Sequence, residues 1–299
     1  MAIQQTEAAR RVAEATTISL SRGRKDVRRR KIFAYVVLSI FGFLAFLPFY
    51  YMFLMSLDAK AGFGALDWPP QLIPSWKWDN YTTALGMMPF GRFFINTFIL
   101  TLLSVSGAII SSAAAGYVFA RIRLKGKNAL FIIMLATLMV PPQVTLIPQF
   151  ILFKHLDWLN TWHPLWVPNW TGQAFAIFLY RQYFMTLPTE LEDAARIDGA
   201  NPLRIFLQIF IPLSKPIIAT VAIIVFVGSW GDLLYPIIYL RDQELYTISV
   251  GLAFFRGAQG INITALMSVG MLSVLPPIIM FMLMQGYFVR GVVLTGLKQ

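Results

Sequence analysis

The chain has 299 residues, of which 57% are hydrophobic and 13% charged, about half the charged share of an ordinary soluble domain. Its charges sit between long apolar runs, where a chain in lipid must put them, and the formal net charge of +11 reads as a cytoplasmic-loop bias rather than a nucleic-acid surface. The absence of Cys excludes disulfides, thiol catalysis and Fe–S clusters.

Taken in chain order, residues 1–31 are polar and Arg-rich. They are too long a lead for a cleavable signal, and they read as a disordered or surface-lying cytoplasmic tail. Arg28, Arg29, Arg30 and Lys31 are placed to meet anionic headgroups. The rest, residues 32–299, reads as one all-α membrane domain. Six apolar stretches follow, each near the roughly 20 residues that a bilayer requires. The first covers residues 32–57 and carries no charge. The second, 93–120, is rich in small residues such as Gly107, Ser111, Ser112 and Gly116, which allow close helix packing. The third, 129–153, is interrupted at Pro141-Pro142 and Pro148. The fourth, 165–184, is the weakest and contains Asn169, Thr171, Gly172 and Gln173. The fifth covers 213–240, and the sixth, 265–289, contains Pro276-Pro277.

With the N-terminus inside, nineteen of the 25 Lys and Arg residues fall on cytoplasmic segments. That asymmetry puts both termini in the cytoplasm. It makes 181–213 a cytoplasmic loop and 241–264 an external one. The prolines within spans either serve packing or hinge a wide transport cavity.

The informative segment is the loop 187–212 between spans four and five. Thr189 and Glu192 have the spacing of a capping box, Glu192 and Arg196 form an i,i+4 ion pair, and Leu191, Ala194, Ala195 and Asp198 share one face. Gly199 supplies a left-handed stop. Asn201-Pro202 caps and starts the next helix. Such a helix either joins two spans passively or fits the groove of a partner protein.

The same residues resemble the EAA loop of binding-protein-dependent ABC importer permeases. Asp193-Ala194-Ala195, three residues, Gly199, nine residues, then Ile209-Phe210-Ile211-Pro212 keep the family spacing. Asp193 replaces Glu, and Ile211 replaces Leu. Trp230 to Leu240, Thr247 to Leu252 and Gln285 to Gly291 resemble the carbohydrate, maltose-type branch, and the likeness is close to the smaller of its two paired permeases. The resemblance implies a cytoplasmic coupling helix carrying Glu192, Asp193, Ala194, Ala195, Asp198, Gly199 and Ala200. It also implies a second homologous permease, an ATPase dimer holding ATP and Mg, an extracytoplasmic solute-binding protein and a bacterial or archaeal cytoplasmic membrane. The solute it implies is sugar-like and moved inward by alternating access.

The external segment with Phe255, Arg256, Gly257, Gln259 and Asn262 resembles the loop that reaches into the binding protein. Trp230, Asp232 and Tyr235 suit a sugar, through aromatic faces and a hydroxyl-accepting carboxylate; alternatively, they sit at the external mouth and in an aromatic belt. Gln149 and Gln173, with Gln143 and Asn169, either line the path or satisfy broken backbone. Lys215 reads as an interface anchor. His155 and His163 have too few neighbouring ligands for a metal. Gly126-Lys127 fails the P-loop pattern, so no ATP site or enzyme activity is expected in the chain. An ion-coupled transporter would need more intramembrane charge than Asp232. Path cations would favour a phosphorylated solute such as glycerol phosphate; their scarcity favours a neutral one.

Overall fold

The structure, a computed structural model, describes residues 2–58, 75–255 and 262–296, with side chains for 29–58, 75–253 and 262–287. Helix α1 (Ala2–Ser56) begins at the second residue. Residues 2–31, expected as a disordered or surface-lying tail, are helical. Their Ala, Glu, Gln and Arg content favours helix, and no Pro stops it before the apolar run. The chain divides into two compact units, residues 1–54 and 55–299.

Within the second unit, α2 (Asp79–Met87) precedes the long α3 (Phe90–Arg121). Helix α4 (Lys127–Ala136) runs through a tight 3-10 turn to the Pro141-Pro142 break, and α5 (Pro142–His155) departs at 99°. Pro142 opens α5, where its missing N–H costs nothing. Pro148, expected as a second interruption, lies inside α5.

The fourth apolar stretch is not one helix. It is α6 (His163–Trp166), a 3-10 turn over Val167–Thr171, and α7 (Ala174–Thr186). The turn ends at Gly172, whose φ of 91° is left-handed territory that glycine enters without strain. Helices α8 (Glu190–Ile197) and α9 (Pro202–Ile205) follow. A π-helical turn (Phe206–Phe210) and α10 (Ile211–Leu213) lead to α11 (Lys215–Trp230), bent 78° from the α9–α10 segment. The fifth stretch also breaks: α11 ends at Trp230, and α12 (Leu234–Tyr239) starts after an unwound Gly231–Leu233. Helices α13 (Ile248–Phe255) and α14 (Ile263–Gly296) complete the order, with Pro276 and Pro277 inside α14.

No strand occurs among the described residues. Residues 29–56 of α1, helix α3 and residues 263–287 of α14 are each long and apolar enough to cross a bilayer. Counting each bent pair, α4 with α5 and α9–α10 with α11, as one crossing raises the number to five.

Helix α3 is the axis of the second unit, packing along α7 and α11. Its small residues let the neighbours come close. At Gly107 the Trp170 ring occupies the place of a side chain, and the Trp170 indole donates to Leu103 O at 2.9 Å. At Gly116 an added Cβ would stand 2.6 Å from Tyr180 Cβ and 3.2 Å from the Arg181 backbone N. Gly116→Val therefore overpacks the α3–α7 contact, at a cost of about 1–3 kcal/mol. A lower unfolding midpoint of the purified protein in detergent is the expected result.

Candidate functional site

The broken helices meet at a cavity of about 450 Å³ in the second unit. Pro164, Leu165, Pro168 and Asn169 reach it from α6 and the turn after it, and Gln173 from the start of α7. Gln149 comes from α5, Gly228 and Ser229 from the end of α11, and Asp232 and Tyr235 from the unwound segment and α12. Unwound backbone at membrane depth is tolerable where it lines such a space.

Four of the five path residues expected from sequence are thus brought together: Gln149, Gln173, Asp232 and Tyr235. Trp230 is not among them. It is 4% exposed, donates its indole N–H to Ser273 O at 2.9 Å, stacks on Phe226 and meets Phe94 edge-on. Its bulk fixes α11 against α14 and α3 and leaves the cavity wall to its neighbours Ser229 and Asp232. Gln143 is exposed and does not line the cavity. Asp232 Oδ1 accepts from the Tyr235 backbone N–H at 3.3 Å, so the carboxylate also caps α12.

The second feature is the loop around α8. Thr189 makes no side-chain cap and already has helical dihedrals, φ −72° and ψ −26°. The capping box expected from Thr189 and Glu192 is therefore absent, because Glu192 turns instead to Arg196, at 2.7 Å. The Glu192 side chain is buried, and its hydrogen bond holds the Arg196 guanidinium above its ordinary pKa. The C-terminal end forms as the sequence implies. Gly199 takes φ 76°, its N–H donates to Arg196 O at 3.0 Å, and Ala200 N–H donates to Ala195 O at 2.9 Å. This is a complete Schellman stop. Asn201 Oδ1 then accepts from Arg204 N–H at 2.8 Å, and Pro202 opens α9.

Ala195 and Ala200 are half-buried against the core, whereas Asp193, Ala194 and Asp198 are exposed. Ile197 is 87% exposed and Leu191 42% exposed. In the external segment, Asn262 Oδ1 accepts from Ala265 N–H at 3.0 Å and caps α14. Phe255 closes α13; Arg256, Gly257 and Gln259 lie outside the described residues.

Sequence reasoning missed Arg121, which it took only as a cytoplasmic charge. At the end of α3 its guanidinium donates to Phe184 O (2.6 Å) and Leu187 O, and it lies over the Phe210 ring, 5.2 Å from the centroid. One cation thus ties α3, the end of α7 and the π-helical turn. A positive charge there also suits the carbonyl end of α7. Its position in the last turn of an apolar helix was the available signal.

Residues 107–294 match the family described as binding-protein-dependent transport system inner membrane component. The chain belongs to this family. The sn-glycerol-3-phosphate transport system permease protein UgpE of Pectobacterium atrosepticum is 36% identical over 88% of this chain and 95% of its own length. The melibiose/raffinose/stachyose import permease protein MelC of Bacillus subtilis is 33% identical over 82% of this chain and 89% of its own. The permease of a bacterial ABC transporter that imports the acidic polysaccharide alginate superposes with a TM-score of 0.74 at 26% identity, covering 87% of this chain and 97% of that one. The protein is accordingly a permease subunit of an ABC importer of the sugar-transporting kind, with the apolar helices of a multi-pass inner-membrane component.

In this permease Arg121→Ala removes two charge-assisted bonds to helix-end carbonyls, each worth about 1.5–3 kcal/mol. Uptake and the unfolding midpoint in detergent should both fall. Arg121→Lys, with a point charge and no planar fork, should restore only part of either.

Proposed function

We propose that this permease crosses the membrane six times with both termini in the cytoplasm. The fourth crossing would be α6, its following turn and α7, and α8 would be the helix through which a partner ATPase drives transport. The observation that carries the reading is α8 itself. It keeps the Asp193, Ala194, Ala195 and Gly199 spacing, stops rigidly at Gly199, turns the buried Glu192 inward, and leaves Leu191, Ala194 and Ile197 outward. An exposed isoleucine on a well-terminated loop helix fits a partner's groove better than water.

In this reading an ATPase dimer binds ATP and Mg, closes, and moves α8. Gly199 and Ala200 pass the movement to α9 and α11, whose far end lines the cavity. The cavity is the solute passage, completed by a second homologous permease. A solute-binding protein delivers a sugar-like solute from outside, and the segment from Phe255 through Arg256, Gly257 and Gln259 to Asn262 faces it. The names of the relatives span uncharged oligosaccharides and anionic solutes.

Two substitutions test the coupling. Gly199→Leu puts a side chain at φ 76°, a strain of about 1–2 kcal/mol. ATP-driven uptake should fall by about tenfold or more, while the permease remains in the membrane. Ile197→Asp should lower the amount of ATPase that co-purifies in mild detergent. Normal uptake by the first variant together with normal ATPase recovery by the second would return α8 to a plain connector.

A further inference from the structure

The cavity has a definite polarity. Of the residues lining it, Asp232 alone carries a charge, and among the described residues no Lys or Arg lies within ion-pair distance of it. Each of the three amides at the wall spends one of its two N–H donors inside the chain. Gln149 Nε2 donates to Thr145 Oγ1 at 3.2 Å, Asn169 Nδ2 donates to Leu165 O at 3.2 Å, and Gln173 Nε2 donates to Asn169 Oδ1. Among the described residues, the side-chain oxygens of Gln149 and Gln173 accept no hydrogen bond, and the Asp232 carboxylate accepts only from the Tyr235 and Leu234 backbone N–H groups. The wall therefore offers acceptors, donors from its amides and from the Ser229 and Tyr235 hydroxyls, and one negative charge.

A phosphate or uronate carries acceptors and negative charge of its own. In a confined space of low dielectric it would meet repulsion from Asp232. The hydroxyls of an uncharged carbohydrate both donate and accept, and they match this wall without that repulsion. We infer that Asp232 makes the cavity reject anions, so that the solute is an uncharged, hydroxyl-rich carbohydrate rather than a phosphorylated or uronate one. This inference rests on the reading of the cavity as the solute passage.

The chain contains no cysteine, so a single introduced thiol reports the local potential without knowledge of the natural solute. Ser229→Cys places it on the wall with little change of volume. In the intact complex in native membranes, its rate of modification is compared for cationic trimethylammonioethyl methanethiosulfonate and anionic sulfonatoethyl methanethiosulfonate. Mass spectrometry of this chain's own peptide excludes thiols on other subunits. Relative to free mercaptoethanol, the cationic reagent should be favoured by about tenfold or more, the low end of what a focused field does to encounter rates.

Adding Asp232→Asn, which keeps a side-chain oxygen to cap α12, should bring the ratio back to that of the free thiol. Adding Asp232→Lys should invert it. A ratio at Ser229→Cys equal to that of the free thiol, or one unchanged by Asp232→Asn, would overturn the inference and leave the passage reading standing. Reaction with neither reagent, with and without ATP, would show that water does not reach the cavity. That result would sink the passage reading, and the inference with it.

Discussion

Lipid gives a peptide group no hydrogen-bond partner, and the architecture answers to that constraint. A chain this apolar could satisfy its backbone with straight helices throughout. It breaks them at Pro141-Pro142, at Gly172 and at Gly231–Leu233 instead. Two of these breaks adjoin the cavity wall directly: Gln173 follows Gly172, and Asp232 lies within Gly231–Leu233. The polar residues in the apolar stretches serve this arrangement. Ser112 Oγ receives the Gln173 backbone N–H at 3.1 Å, and Ser111 Oγ donates to Asn169 O at 3.3 Å. Helix α3 thus mends the backbone that the α6–α7 break leaves open, and its small side chains make that approach possible.

The two ends of the second unit are held by different means. At one end Arg121 and the rings of Tyr117, Phe184, Phe206 and Phe210 pack α3, α7 and the π-helical turn into one block. At the other end hydrogen bonds do the fastening. The Asn96 amide donates to Glu244 O and Tyr246 O, Thr97 Oγ1 accepts from Ile248 N–H, and Asn160 accepts from Arg241 and Asp242 N–H. Asn160 does so from φ 58°, a left-handed conformation that Asn tolerates better than most side chains. Between these two ends the breaks leave the space that the wall residues line.

The loop around α8 was largely legible in the sequence because its signals are local. A left-handed Gly, an Asn-Pro start and an i,i+4 ion pair each act within one turn, and each forms. The capping box failed for an equally local reason: Thr189 already has helical dihedrals and its hydroxyl makes no cap, while Glu192 pairs with Arg196. The cavity was legible in its residue types, since Gln149, Gln173 and Asp232 are costly at membrane depth unless a polar space receives them. Trp230 was misplaced because Trp, Asp and Tyr lie close in sequence, and only the end of α11 decides which of them faces inward. The break before α12 and the splitting of the fourth stretch were hidden by apolar composition, which reports burial in lipid but not whether the helix runs on.

Helix α11 connects these observations. Its last turn supplies Gly228 and Ser229 to the cavity wall, and its first turn follows α10 and the π-helical turn that Arg121 and Tyr117 hold. A helix moves most easily as a rigid rod, so displacement at its start reaches its end unless something between yields. Its buried face, Ile217, Val221, Ala222, Val225 and Phe226, packs within the core without a polar gap. The π-helical turn below it carries a wider, less regular hydrogen-bond pattern, and such turns are common where helices serve function. Held in the block around Arg121, that turn joins the start of α11 to α3 and α7. In the proposed coupling, a shift at α8 would reach the cavity through this block and α11 together.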